Sequence, residues 1–135
     1  MQEIWRCKKL RDTTRDYTIA QFKNYAALGC PNKIQVIADT QMSRALKLDL
    51  IAVIDTLQTL TNSGKDYISR AIYAVYFASP KSEWKKGEIN ARVLCYAIDN
   101  YTDERTVWRW LREARLLCAE FRGLNTGTMY KASCQ

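Results

Sequence analysis

Three features of the sequence predict an all-α fold in a single helical domain. Only five glycines and two prolines interrupt 135 residues, 47% of which are hydrophobic, so ordered helices should dominate over loops. Apolar residues recur at three- and four-residue spacing in successive segments divided by short turn signals, the periodicity of one buried helix face. One segment, TDERTVWRWLREARLLCAEFRG at 102–123, reads as a long helix with both ends marked. A chain of this length can build a core without metal or disulfide staples.

Residues 2–27 interleave Arg6, Lys8, Lys9, Arg11, Arg15 and Lys23 with Ile4, Trp5, Leu10, Tyr17, Phe22 and Tyr25. The spacing predicts a basic helix, interrupted around 12–14 and ended at Gly29-Cys30-Pro31. Its charges either touch a phosphate backbone or form a solvated face over a packed helix. The short IQVIA that follows reads as a connector or single helical turn, so 1–39 forms a basic N-terminal helical segment. From 40 to 61, Leu46, Leu50, Val53, Ile54, Leu57 and Leu60 keep helix spacing, and Asn62-Ser63-Gly64 stops them. Asp66 is expected to cap a further helix with Ile68, Ile72, Val75 and Tyr76 inward, ending at Ser79-Pro80. The short turn makes these two an antiparallel scaffold.

Trp84-Lys85-Lys86-Gly87 opens the next helix, with Glu88 at its start and Ile89, Val93, Leu94 and Ala97 inward. After the turn Ile98-Asp99-Asn100-Tyr101 comes the long helix. There Val107, Leu111, Ala114, Cys118 and Phe121 share one stripe, which Trp110 and Leu117 widen. Arg105, Arg109 and Arg112 cluster on the opposite side, with Trp108 and Arg115 at one flank. Thr102 is the expected N-cap, Asp103 and Glu104 suit the positive end of the dipole, and Gly123 can close the helix left-handed. The helical core is thus expected at 40–123, its last two helices at about 82–123, and a flexible tail at 124–135.

A helix, a short turn and a basic amphipathic helix make the helix-turn-helix arrangement, although many helical hairpins share it and bind nothing. Within it Arg105, Arg109 and Arg112 can reach guanine O6 and N7 or phosphate, with Thr102 and Thr106 at the start of the same helix. Lys85, Lys86 and Arg92 can grip the flanking backbone. Trp108 either lies against sugar or a thymine methyl or packs on the preceding helix. A solvated arginine face is the plain alternative.

The net charge of +7 falls on 1–24 and beyond 64, with a neutral middle. That balance suits a polyanionic partner, first of all double-stranded DNA. Cys7, Cys30, Cys95, Cys118 and Cys134 are odd in number and widely spaced, and there is no histidine, so neither a zinc site nor a disulfide framework is expected. Cys95 and Cys118 sit on apolar faces and read as core residues. Without histidine, paired carboxylates, a glycine-rich phosphate loop or a nucleophile elbow, the sequence points away from an enzyme and from any cofactor. Its longest apolar runs, such as AIYAVYFA, are too short to span a bilayer, and its start lacks the apolar core of a signal peptide. A soluble, cytoplasmic protein is expected.

The run from 51 to 123 resembles the phage late-transcription activators of the RinA/ArpU/LtrA type, whose C-terminal part is similar to region 4 of bacterial sigma factors. The matching stretches, in order, are IAVIDTLQTL, ISRAIYAVYF, WKKGEINARVLCYAI and ERTVWRWLREARLLCAEFRGL. Nearest to a signature are Glu88-Ile89 in the first helix and Arg105-Thr106-Val107 with Arg109 opening the second. The turn departs from the family, with Asp99-Asn100-Tyr101-Thr102 where a small residue and serine are usual. The resemblance implies a phage- or prophage-encoded regulator in a bacterial host. It would bind promoter DNA as a monomer or homodimer, with host RNA polymerase or its sigma factor as partner. Two competing readings are a phage terminase small subunit working as a ring, and a protein-interaction module that does not touch DNA.

Overall fold

The computed structural model describes residues 13–80 and 83–124. The expected helix before residue 13 and the expected tail from 125 onward lie outside the described residues. Six α-helices and one π-helical turn make up the described chain, with no strand among the described residues.

Helix α1 (Thr13–Ala27) buries Phe22, Tyr25 and Ala26 and stacks the Phe22 ring on Tyr76 at 5.5 Å. The Tyr25 hydroxyl donates to the Pro31 carbonyl at 3.0 Å, tying down the chain where it leaves the helix. IQVIA lies in a short helix, α2 (Lys33–Ala38), held by a reciprocal capping box between Asn32 and Gln35, which satisfies two end groups at once. Helix α3 (Arg44–Asn62) starts four residues later than the apolar pattern suggests, because Ser43 accepts from the Leu46 N–H as its N-cap. It ends at Ser63 and Gly64, whose φ of +75° suits glycine.

Helix α4 (Asp66–Ile72) begins one residue away from the expected cap: Lys65 is the N-cap position, and Asp66 sits in the first turn. The chain then widens into a π-helical turn (Tyr73–Phe77), closed by the Ala78 N–H on the Tyr73 carbonyl at 2.7 Å. The wider turn lets Val75, Tyr76 and Phe77 all be buried in succession. Helices α5 (Glu88–Asp99) and α6 (Glu104–Arg122) complete the chain.

The core lies where α3 runs against α6, with α1 across both and α4 closing one side; α5 packs on α6 and the π-helical turn. Leu50, Val53, Leu60, Ile68, Ile72, Val93, Val107, Leu111 and Ala114 all point into it. A polar joint fixes the C-terminal end of α6. Arg122 donates to the Asp49 carboxylate at 2.6 Å, Tyr17 donates to the same oxygen at 2.7 Å, and Gln21 donates to the Asp49 carbonyl at 3.1 Å. The bond to Asp49 raises the pKa of both Tyr17 and Arg122.

Three core assignments are corrected. Phe121 is 45% exposed and Ala119 is buried in its place, because the joint with α1 and α3 rotates the covered side of α6 toward Cys118, Ala119 and Arg122. Leu94 and Cys95 are exposed, since among the described elements α5 packs mainly on α6 and the π-helical turn. Cys118 is fully buried, and desolvation pushes its thiol pKa up to about 12. Cys30, Cys95 and Cys118 are free thiols.

Candidate nucleic-acid interface

The turn between α5 and α6 fixes the start of the arginine helix. Tyr101, in the left-handed region at φ +55°, donates its N–H to the Ile98 carbonyl, and Thr102 donates its own to Ala97 at 3.0 Å. This pair of bonds is the Schellman closure of α5, so Thr102 ends the first helix rather than capping the second. The N-cap of α6 is Asp103, whose carboxylate accepts from the Thr106 N–H at 2.8 Å. That bond holds the Asp103 pKa below its ordinary value, with the charges of Arg105 and Arg109 adding to it. The amide of Thr106 is thereby occupied.

Beyond the cap, the buried stripe of Val107, Leu111, Ala114 and Cys118 sets the rotation of α6. Arg105, Arg109 and Arg112 stand exposed on its far side, and no ion pair joins them to a carboxylate among the described residues. Several other cations are engaged within the protein. Lys33 pairs with Asp55 at 2.9 Å, Lys65 with Glu113 at 2.5 Å and Arg122 with Asp49 at 2.6 Å, while Lys47 donates to the Ile37 carbonyl. Trp108 is partly buried and packs against the core, and Trp110 meets Tyr67 edge-on at 5.1 Å.

Lys85 and Lys86 are exposed on the turn leading into α5. Arg92, expected at the DNA backbone, turns inward instead. Its guanidinium donates to the carbonyls of Val75 (3.0 Å), Ala78 and Ser79 (2.9 Å), pairs with Glu88 at 3.4 Å and stacks 4.4 Å from the Trp84 ring centroid. These carbonyls are freed where the π-helical turn ends, and Arg92 satisfies them, so it ties α5 to the body of the protein.

The structure also brings to this site Lys23, which the sequence offers only as one cation of the basic N-terminal helix. Lys23 of α1 lies with its Nζ 4.7 Å from the Trp84 ring, and Lys23 and Lys85 line one cleft of about 180 Å³ together with Gly87 and Asn90. Burial lowers the Lys23 pKa. No local sequence signal links α1 to this corner; only the tertiary packing does.

No cluster of three or more His, Cys, Asp or Glu among the described residues is placed to hold a metal ion. No helix among them is long and apolar enough to cross a membrane. Compared with protein-family models, curated proteins and solved structures, the chain shows no match.

Proposed function

We propose that this chain is a sequence-specific duplex-DNA-binding transcriptional regulator in which α6 reads bases. The supporting observation is the exposed set Arg105, Arg109 and Arg112, none of them ion-paired among the described residues, on the side of α6 opposite a fully covered stripe and in the N-terminal half of a capped helix. Guanidinium groups at that end of a helix suit guanine O6 and N7 in the major groove. Lys85 and Lys86, with Lys23 beside them, serve the phosphate backbone, where contacts position the protein without specifying sequence. Arg92 leaves that set, because its hydrogen bonds are used internally. The resemblance of 51–123 to phage late-transcription activators extends the proposal to an activator of late genes working with host RNA polymerase.

Selection of bound sequences from a random duplex library tests the reading. A base-reading regulator enriches one motif over successive rounds. Retention of DNA without enrichment contradicts it and favours a packaging role, and no retention at all leaves an interaction module.

A further inference from the structure

Lys85 and Lys86, the exposed cations ahead of α5, are flanked by two side chains that are themselves held. On one side, the Trp84 ring has two cations over it, the Arg92 guanidinium 4.4 Å from its centroid and the Lys23 Nζ at 4.7 Å. Cations this close are attracted to the face of an indole, so the ring links α5 to α1. On the other side, one Glu88 carboxylate oxygen accepts the Lys85 N–H at 3.2 Å and the other pairs with Arg92 at 3.4 Å. The Glu88 N–H in turn donates to the Lys85 carbonyl at 3.1 Å, and Gly87 between them takes φ +81°.

Both anchors lead to the same place. Arg92 is fixed by the Val75, Ala78 and Ser79 carbonyls at the end of the π-helical turn, so the short turn between Trp84 and Glu88 is tied to the body of the protein. The lysine side chains are what is left facing outward: no ion pair joins either ammonium group to a carboxylate among the described residues. Glu88 sharpens the point. The charge of a carboxylate beside a phosphate-binding turn works against a polyanion, so what Glu88 contributes there is a hydrogen-bond acceptor.

We propose that Trp84 and Glu88 are positioning residues for DNA binding, holding Lys85 and Lys86 in the geometry in which they meet the phosphate backbone. Ordering that turn before binding removes a cost that association otherwise carries. The proposal rests on the reading of Lys85 and Lys86 as phosphate contacts.

Two pairs of variants, each pair matched in charge, test it on the selected and a scrambled duplex over a salt series. Trp84→Leu should weaken both duplexes alike, roughly five-fold. It should also lower the slope of log affinity against log salt by about 1, although every lysine is still present; a merely structural role would leave that slope unchanged. Trp84→Phe, which keeps a ring for the cations, should recover most of the loss. Glu88→Ala and Glu88→Gln remove the same negative charge, but only glutamine keeps an acceptor for the Lys85 N–H. The alanine variant should therefore bind both duplexes more weakly than the glutamine one, roughly three-fold. Circular dichroism identifies the variants that keep the native helix content, and one folded pair decides. A folded pair whose members match in affinity and salt slope overturns the proposal while leaving the DNA reading in place; a wild-type chain that retains neither duplex overturns both.

Discussion

Helices α5 and α6 are neighbours in sequence, both amphipathic and separated by four residues, yet they dispose of their apolar side chains in opposite ways. Helix α6 is covered by α1, α3, α4 and α5, so its apolar stripe is wholly buried and its far side is left to charge. Helix α5 meets mainly α6 and the π-helical turn, buries only Val93 and Ala97, and leaves Leu94, Cys95 and Ile98 outside. Periodicity shows that a helix has apolar faces. The number of neighbours decides how many of them are covered.

The same substitution on the two helices gives the widest separation. Leu111→Ala in α6 should cost about 2 to 5 kcal/mol, the range for emptying a buried leucine site. Leu94→Ala in α5 should cost under ~0.5 kcal/mol, as for a surface change. Urea unfolding of both makes the comparison, and equal losses would break it. Next in size is Arg92→Ala, which strips donors from three carbonyls and should cost about 1.5 to 3 kcal/mol. If Arg92 instead served the DNA backbone, stability would hold and affinity alone would fall. Tyr101→Gly removes a side chain from a left-handed position and should raise stability by about 1 kcal/mol, read as a higher melting temperature. Phe121→Ala, at the exposed end of α6, should cost under ~1 kcal/mol.

The all-α class, the breaks at Gly64 and Pro80 and the inward stripe from Val107 to Cys118 were legible because each rests on local spacing or a local stop signal. The N-caps expected at Asp66 and Thr102 each lie one residue from the observed ones, Lys65 and Asp103: Asp103 and Thr102 are both good cap residues, and the Schellman bond of Thr102 to Ala97 decides between them. What was not legible depends on residues distant in sequence. Phe121 fits the wheel of an isolated helix, but the joint of Arg122 with Asp49 turns the end of α6 away from it. Arg92 looks like any helix-face cation until the π-helical turn presents it with three unpaired carbonyls. Lys23 joins Lys85 only through the packing of α1 beside Trp84.

The most direct test of α6 as the base-reading element compares Arg109→Ala with Lys85→Ala on two duplexes, one carrying the selected sequence and one scrambled. Arg109→Ala should cost about 1 to 3 kcal/mol on the selected duplex, with relaxed selectivity at one position and a smaller effect on the scrambled one. Lys85→Ala should weaken both duplexes alike and lower the slope of log affinity against log salt by about 1. Equal losses for Arg109→Ala on the two duplexes would contradict the account and place recognition elsewhere than on α6.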